Sequence, residues 1–580
     1  MGSVTSNFSD RETVTVNELV ADRRVVSTYT GEAATLVVPA SNPFYVNPLG
    51  GTNPVTVAYG FGSDLGPEIS DVDVRSGNLS IISLYKLSDD LKLTNTGTVA
   101  FVRQNQGQSG AVNFDALNRA LADANPNTAF DPFGDGSHTN AATLASLRTR
   151  WGSTVDSTAA ELGAAVDGSI LHRPTDDLKF ALGAELRDQE LSLGGVSVNG
   201  AEPVDEGLHR RIAAAYGQAV YTLAKPGYCI SGTCTLKLSG AVRYEHYSDP
   251  FGAASPNLGV EWSPLVGLTL QGTVARSFRA PNLPDKVEKG NFSELYVITN
   301  PDSPRGDSTV LLWGGANAAL QPERARSWTL GLKTDRDWLP GFTGAVTYFD
   351  VLYSDLISQP NLSAGILTNP SAAWLVTRNV SEEHRKSVCS RTAFLGLSGD
   401  CLAAPIDALV DLREQNMSTL GTRGLDIDSR YVGGAFHGKL ILDLGATYVL
   451  SYALASAPGS SPIELANTQS NPLRLQLRSS VSWEYQQLGV TESISYAGAY
   501  RDVSSVPNRG VASSTSLDGE VRYEITRTAA DISLKVALSV QNVFNQAPPF
   551  LNNQAAAIGY DQENADLTGR VVRLLLRETW

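Results

Sequence analysis

Apolar and polar side chains alternate along the C-terminal segment, 571–580, with the period of a β-strand. One face of this predicted strand is apolar and ends in an aromatic residue. Its members are Val572, Leu574, Leu576 and Trp580. The other face is mainly polar and includes Arg573 and Arg577. Such an apolar stripe is typical of a strand that faces lipid and inserts into a membrane. An edge strand of a soluble β-sandwich is the alternative that this segment alone leaves open.

The same alternation recurs in the segments upstream. Between Ile532 and Val540, apolar residues alternate with polar or small ones without a break. Similar patterns occupy 517–525, 473–485 and 440–451. These segments run to about 12 to 17 residues, whereas strands of globular sheets usually have about five or six. The length favours tilted strands that cross a membrane and extend beyond it.

Short turns and long loops alternate between these segments. The short turns are rich in Asp, Gly and Pro, and they are predicted at 88–90, 173–177, 263–267, 337–341, 433–438, 487–489 and 528–531. The long loops are predicted at 103–156, 279–322, 354–417, 453–470, 501–512 and 546–567. The sequence therefore predicts an all-β fold, a large antiparallel transmembrane β-barrel of about 17 or 18 strands, with short periplasmic turns and long extracellular loops.

The first strand of this barrel is predicted near 54–61, and the first hairpin pairs 79–84 with 91–101. Residues 1–50 are predicted to be irregular, and residues 51–580 to form one barrel domain. One loop is expected to hold a short helix, because apolar residues recur at helical spacing before the breaker Pro126. These residues are Ala116, Leu117, Ala120, Leu121 and Ala124.

Composition narrows the class of protein. The 580 residues carry a formal charge of -15 with a pI near 5.0, which argues against nucleic acid as a partner. No run of about 18 apolar residues is present, which excludes helical membrane spans. The mean hydropathy of -0.11 is still compatible with a barrel, because half of each strand faces a polar interior.

Four cysteines form two local pairs, Cys229 with Cys234 and Cys389 with Cys401. Close pairs in a chain of this length predict disulfides that staple loops in an oxidising compartment. Zinc is the competing explanation. Neither pair has a second pair or a histidine at ligand spacing, so no metal site and no cofactor is expected.

Five stretches, taken in order, resemble TonB-dependent outer-membrane receptors. They are 274–282 (VARSFRAPN), 317–332 (from NAALQPERA to SWTLGL), 348–357 (YFDVLYSDLI), 423–428 (RGLDID) and 540–545 (VQNVFN). The resemblance implies a monomeric barrel in the bacterial outer membrane that takes up scarce solutes such as iron-siderophore complexes. The implied partners are outer-membrane lipid and a small solute or metal chelate, with no nucleic acid.

Members of that family carry an N-terminal plug domain and, before it, a segment that pairs with the inner-membrane energiser, the TonB system. Neither is recognisable in this sequence, and about four of the roughly 22 strands of such a barrel are also missing from the pattern. We therefore expect the 580 residues by themselves not to perform energised uptake. We also expect the last strand to be left with an open ladder on one side.

Aromatic and cationic residues in the predicted loops are the candidate ligand contacts. They are Arg279, Tyr296, Trp313, Trp374 and Arg378. The alternative role is structural: the aromatic residues would be packed loop anchors, and Arg279 would belong to a rim where Pro281 ends a strand. In the haem-binding branch of the family, similar boxes flank a histidine. No histidine lies between Pro281 and Asn317, so haem is not expected.

Two other functions are alternatives to the receptor. A barrel without its plug would be a passive, porin-like channel with a wide aqueous lumen. An outer-membrane hydrolase would need a nucleophile beside a general base. The six histidines, at 138, 172, 209, 246, 384 and 437, show no partner pattern, so the chain is not expected to be an enzyme.

Overall fold

The computed structural model describes most of the chain. The described residues are 2–48, 50–133, 139–196, 205–223, 234–249, 251–335, 340–363, 365–394, 401–402, 405–527, 532–552 and 558–579. Short helices are confined to connections between strands. They are α1 (Gly62–Leu65), α2 (Phe114–Ala122), α3 (Ala141–Leu147), α4 (Glu382–Cys389) and three 3-10 turns at Pro284–Lys286, Glu288–Gly290 and Pro370–Leu375. None of the helices in these ranges is long and apolar enough to cross a membrane.

Strands make up most of the described residues. The N-terminal part contains β1 (Gly2–Ser9), β2 (Glu12–Tyr29), β3 (Ala33–Val38), β4 (Val55–Gly60), β5 (Glu68–Lys86), β6 (Leu91–Val112), β7 (Arg148–His172), β8 (Asp176–Val196), β9 (Asp205–Leu223), β10 (Thr235–Tyr247), β11 (Gly252–Leu265) and β12 (Leu268–Arg279). The middle part contains β13 (Phe292–Thr299), β14 (Asp307–Gly315), β15 (Glu323–Thr334), β16 (Phe342–Ser358), β17 (Val376–Arg378), β18 (Ala393–Phe394) and β19 (Ala408–Arg413). The C-terminal part contains β20 (Gln415–Ala435), β21 (Gly438–Ala455), β22 (Ile463–Glu464), β23 (Leu475–Tyr485), β24 (Leu488–Ala497), β25 (Tyr500–Asp502), β26 (Arg509–Val511), β27 (Ser514–Arg527), β28 (Ile532–Gln541) and β29 (Val571–Thr579).

One large antiparallel sheet contains nineteen successive strands of the described chain. Their order is β1, β2, β5 to β12, β15, β16, β20, β21, β23, β24, β27, β28 and β29, and the two-residue β22 adds a short pairing to β21. The longest strand, β7, has 25 residues and extends well beyond the roughly 30 Å of a bilayer core. The prediction of a large antiparallel barrel is confirmed.

Side chains on the large sheet alternate between an apolar outer face and a polar inner face. On β8, Leu182 and Leu186 lie on the outer face and are 57% and 63% exposed. Glu185 and Arg187 lie on the opposite, inner face of the same strand. On β29 the outward residues are equally exposed, as the sequence pattern indicates. Trp580 lies outside the described residues.

Two sequence predictions about the N-terminal part are wrong. Residues 1–50 are not irregular, because β1 and β2 belong to the large sheet and β2 pairs with β5 from Glu12 to Tyr29. The segment predicted as the first barrel strand is β4, which instead pairs with β3 in a separate hairpin. Beyond Leu19 the strand β2 is exposed on both faces and carries charged residues, so its apolar alternation is too weak to be recognised.

The two end strands of the sheet, β1 and β29, run in the same direction, because the direction reverses eighteen times along the nineteen antiparallel strands from one to the other. Direct antiparallel pairing between them is therefore not available. No hydrogen-bonded pairing joins β1 to β29 within the described part of the chain. The open ladder beside the last strand stays a prediction.

The connections differ at the two ends of the strands. At one end they are tight turns, such as 87–90, 173–175, 266–267, 436–437 and 486–487, which coincide with the predicted short turns. At the other end the long loops fold into three compact units with their own apolar cores. Apart from a short helix in the 103–156 loop and a strand near 54–61, the sequence predicted no structure within these units.

The first loop unit consists of β3, β4 and α1 to α3. The predicted helix is α2, which begins after the N-cap Asn113. Its Leu117 and Leu121 are buried against the aromatic residues Phe61 and Phe130. This helix prediction is confirmed.

The second loop unit consists of β13, β14, β17 to β19 and α4, and it joins two loops that are far apart in the sequence. Its central pairing is parallel: Val310 of β14 lies opposite Ala408 of β19. The third loop unit consists of β22, β25, β26 and the segments 542–552 and 558–569. Its core contains Leu473, Tyr500, Val511 and Leu551.

Candidate functional site

The second loop unit leaves the large sheet at Arg279, the last residue of β12. Its guanidinium pairs with the carboxylate of Glu323, the first residue of β15, with 2.6 Å between Nε and Oε2. Glu323 is fully buried, and it also accepts hydrogen bonds from the Tyr353 hydroxyl at 3.0 Å and the Ile357 N–H at 2.8 Å. This buried carboxylate therefore fixes the two roots of the 280–322 loop to each other. Arg279 takes part in this rim contact, and its side chain remains half exposed.

A second buried cluster holds the first residues of the same loop. The Arg210 guanidinium donates to Asp249 Oδ2 at 2.8 Å and to the Pro281 carbonyl at 2.9 Å. Lys286 Nζ lies 2.8 Å from the same Asp249 oxygen. We call Arg210, Asp249 and Lys286 the rim clamp. Burial alone would raise the pKa of Asp249, but the hydrogen bonds and charges of Arg210 and Lys286 outweigh it, so this pKa lies below its usual value.

The inner wall below the rim clamp is polar, and its charges compensate one another. Arg243 donates to Glu185 at 2.5 Å and to Glu245 at 2.6 Å, and Arg187 lies 2.8 Å from Glu161. These side chains come from β7, β8 and β10. Between this wall and the loop that begins at Pro281 lies a cavity of about 520 Å³, which we call the first cavity.

A larger cavity of about 690 Å³ lies against the wall formed by β20, β21, β23, β24 and β27, and we call it the second cavity. Its charged lining residues are Asp426, Asp428, Asp518, Asp566 and Arg478. Hydroxyl and amide side chains supply most of the remaining lining. They include Thr447, Gln476, Ser495, Ser516, Gln541, Asn542, Gln546, Asn564 and Thr568.

Residues 542–548 and 564–569 of the third loop unit form the outer rim of the second cavity. The buried carboxylate of this unit, Asp561, accepts from the Ser470 N–H at 2.9 Å and from the Asn564 side-chain amide at 3.0 Å. Burial, followed by the charge of Asp561 and a hydrogen bond to it, raises the pKa of Tyr500. The hydrogen bond from Ser470 to Asp561 holds this part of the third loop unit against the neighbouring loop.

The structure brings four of the five predicted contact residues together in the second loop unit. Tyr296 and Trp374 are 45% and 43% exposed, and the Trp374 indole N–H donates to the Ser371 carbonyl at 3.0 Å. Arg378 donates to the Leu367 carbonyl. Of the five, Arg279 alone is among the residues that line the first cavity. Ligand contact by these residues stays a prediction.

Trp313 is a packed anchor of the second loop unit. It is 7% exposed, and the guanidinium carbon of Arg413 lies 3.4 Å from the centroid of its rings. This is a close cation–π stack within the unit. The stack and the low exposure show that Trp313 packs within the unit, and its contact with a solute stays a prediction.

The disulfide Cys389–Cys401 joins the end of α4 to the same core, with 5.9 Å between the two Cα atoms. The other predicted pair includes Cys229, which lies outside the described residues. No group of three or more His, Cys, Asp or Glu residues with metal-binding geometry occurs in the described ranges.

Sequence reasoning missed the rim clamp and the second cavity. Arg210, Asp249 and Lys286 are scattered across 77 positions, and each is an ordinary charged residue in a local pattern. One signal was available for the second cavity: the RGLDID and VQNVFN stretches, which carry the resemblance, supply Asp426, Asp428, Gln541 and Asn542 to its lining.

The fold is a long antiparallel barrel, and its large loops cover charged cavities at one end. These features are typical of outer-membrane barrels of the receptor type. The family model "TonB dependent receptor-like, beta-barrel" matches residues 21–543. The chain therefore belongs to the TonB-dependent receptor family. Members of this family are transporters, which confirms the prediction that the chain is not an enzyme.

Several solved structures share the fold at low sequence identity. A variant of the ferric enterobactin receptor PfeA from Pseudomonas aeruginosa has a TM-score of 0.54 and 14% identity, over 100% of this chain and 78% of that one. The RagAB peptide transporter has a TM-score of 0.56 and 10% identity, over 99% and 71%. BauA, the ferric preacinetobactin receptor from Acinetobacter baumannii, has a TM-score of 0.52 and 12% identity, over 98% and 70%. Comparison with curated proteins gave no match.

Proposed function

We propose that this chain is the barrel of an outer-membrane receptor for energised uptake of a scarce solute, such as an iron-siderophore complex. The observation that carries the proposal is the membership of the TonB-dependent receptor family together with two charged cavities that are lined in part by loop residues. Cavities of about 300–1,000 Å³ are the usual size for small-ligand sites. The structural neighbours that are named as ferric siderophore receptors support the choice of solute.

The partners follow from the same proposal. The apolar outer face contacts outer-membrane lipid, the cavities bind a solute or metal chelate, and the TonB system energises its passage. We expect the protein to act as a monomer.

Binding to outer membranes tests the proposal. The protein is produced in a Gram-negative strain that lacks its own chelate receptors, and isolated outer membranes are titrated with ⁵⁵Fe-labelled chelates of different chemistry. Saturable binding of at least one chelate is expected, with no such binding to membranes from the parent strain. If every chelate fails to bind and planar bilayers show a large, steady conductance, the protein is a passive channel and the receptor proposal is wrong.

A further inference from the structure

We infer that the outer face of β12, β15, β16 and β20 binds the headgroup of a phosphate-bearing lipid of the outer leaflet. The site consists of Arg276, Arg324, Arg326 and Arg423, which we call the outer basic patch. The inference does not depend on the transported solute, because it concerns the surface that faces the membrane. It goes beyond the proposed function by naming one class of lipid and one place on the barrel.

Three of the four arginines continue the apolar outer face of two adjacent strands. On β12 the outward Val274 is 50% exposed, and Arg276 lies two residues further along the same face. On β15 the outward Trp328 is 42% exposed, and Arg326 and Arg324 follow on its face. All three arginines are exposed.

Arg423 of β20 belongs to the same outer face. It lies directly opposite Asp350 of β16, and Asp350 lies directly opposite Trp328 of β15. Residues that are directly opposite in an antiparallel pair point to the same side of the sheet. The exposed Arg423 is therefore on the lipid side, level with Trp328.

The patch lies where the apolar band ends, on the side of the long loops. β12 runs from the turn at 266–267 to Arg279, where the second loop unit begins, so Arg276 is near the loop end of its strand. The rings of Trp328 and Tyr348 lie 5.0 Å apart on the same face. Aromatic residues on the outside of a barrel mark the level of the lipid headgroups. The arginines are therefore at headgroup height, next to side chains that contact acyl chains.

Two of the arginines face each other without a carboxylate between them. Arg276 lies directly opposite Arg326 on the adjacent antiparallel strand. The Cβ atoms of such a pair are about 4.5–5.5 Å apart, and like charges there are destabilising. Within the described residues, none of the four arginines has an ion pair or a side-chain hydrogen bond. Asp350 is the one described carboxylate on the outer positions of β12, β15 and β20 and of β16 up to Ser354.

Another opposed pair on the outer face is compensated by the protein itself. Arg75 of β5 lies directly opposite Arg103 of β6, two residues beyond the exposed Phe101. Arg75 Nε is 3.2 Å from Asp22, and Arg103 Nε is 2.5 Å from Asp156. The protein therefore supplies carboxylates to one opposed pair of arginines and leaves the other pair to an anion from outside.

Neither a plug domain nor additional strands would supply that anion. The strands β12, β15, β16 and β20 are the tenth to thirteenth of the nineteen, so strands added at either edge of the sheet would not adjoin them. A plug fills the lumen and lies on the other side of the barrel wall. The surroundings of the patch are the membrane and the space just above it.

A phosphate-bearing lipid fits both parts of this surface. Guanidinium groups bind phosphate oxygens through two parallel N–H donors, and one phosphate between Arg276 and Arg326 removes their repulsion. The acyl chains of the same lipid lie against the apolar residues below, such as Val274 and Leu330. A soluble phosphate would use only the arginines, and a zwitterionic lipid would bring a cation with each phosphate.

Three probes separate the lipid from its parts. The 580-residue protein is extracted from outer membranes in dodecyl maltoside and labelled at its N-terminus, and equilibrium binding is followed by microscale thermophoresis. The probes are bisphosphorylated lipid A, the zwitterionic dioleoylphosphatidylcholine and inorganic pyrophosphate, which has no acyl chains. We expect lipid A to bind about tenfold or more tightly than either of the others, with an affinity that falls at high salt.

The variants locate the site. Arg276→Gln combined with Arg326→Gln should weaken lipid A about 30-fold, because each arginine close to an anionic headgroup contributes a factor of about five. Arg75→Gln combined with Arg103→Gln removes the compensated pair and is the matched control, with an expected change within about twofold. Asp350→Asn should strengthen lipid A binding about fivefold, a gain that misfolding cannot produce.

Every outcome decides for or against the lipid site. Equal affinity of the wild type and the Arg276→Gln/Arg326→Gln variant for lipid A overturns the inference. An equal loss in the Arg75→Gln/Arg103→Gln control also overturns it, because the effect would then come from general surface charge. Pyrophosphate that binds as tightly as lipid A, with the same dependence on Arg276 and Arg326, identifies a soluble-anion site and overturns the lipid assignment. None of these results bears on chelate uptake, which the titration of outer membranes tests separately.

Discussion

The charges of the rim clamp are buried together, so the loss of local stability on replacing Asp249 can be predicted in magnitude. The exposed fractions of the Arg210, Asp249 and Lys286 side chains are 5%, 11% and 17%. Asp249→Asn keeps the size of the side chain but leaves two cations without their shared carboxylate. Breaking a buried pair in this way costs about 3–5 kcal/mol. The local free energy of opening the 281–291 segment should fall by that amount.

Hydrogen exchange measures this loss directly. A fall of about 3 kcal/mol corresponds to exchange that is more than about 100-fold faster at the amides of 281–291. The control is Glu382→Gln, which removes the exposed pair with Lys386 and should change exchange very little. Protection of 281–291 within about threefold of the wild type in Asp249→Asn, a change of about 0.7 kcal/mol, would refute the reasoning.

The pH dependence of the clamp follows from the lowered pKa of Asp249. A carboxylate whose pKa is lower in the folded state stabilises that state fully above its unfolded pKa of about 3.9. The contribution is lost as the pH falls through the folded pKa. The free energy of opening the 281–291 segment should therefore differ most between wild type and Asp249→Asn near pH 7, and the two values should converge in strong acid. A difference in this free energy that grows towards low pH would contradict the assignment.

Three further changes test the loop units and the turns. Leu409→Ala in the buried core of the second loop unit should lower the local free energy of opening, measured by hydrogen exchange, by about 2–5 kcal/mol. Leu402 is exposed, so Leu402→Ala should lower this free energy very little. Cys389→Ser removes a disulfide that closes a short loop and should cost about 3 kcal/mol by the same measurement. Gly341→Ala should lower the yield of refolded barrel seen by gel mobility, because φ is 80° and its Cβ would lie 2.4 Å from the Val432 carbonyl, while Gly434→Ala meets nothing within 4 Å.

The barrel could be predicted where lipid imposes a period of two on the outer face. That constraint acts on β29 and on its upstream neighbours, so their apolar faces are visible residue by residue. It weakens on β2, because charges such as Asp22 and Arg24 occupy the part of the strand above the apolar band. The N-terminal strands were missed for this reason, and the strand count was too low.

The loop units could not be predicted because their cores are assembled from distant segments. The pairing of Val310 with Ala408 is parallel and joins two different loops, and local alternation carries no information about such a partner. The aromatic residues of the loops were correctly singled out as unusual. Their positions, buried for Trp313 and half exposed for Tyr296, depend on that long-range pairing.

Separate apolar cores in the loops have a consequence for binding. A loop without a core is ordered only when a ligand arrives, and the lost conformational freedom reduces the affinity. Here the disulfide, the Trp313–Arg413 stack and the carboxylate of Glu323 hold the second loop unit before any solute is present. The first cavity is likewise bounded by a compensated charge network. Little free energy then has to be spent on organising the mouth of the barrel, so the affinity for a solute should depend mainly on its contacts with the cavity walls.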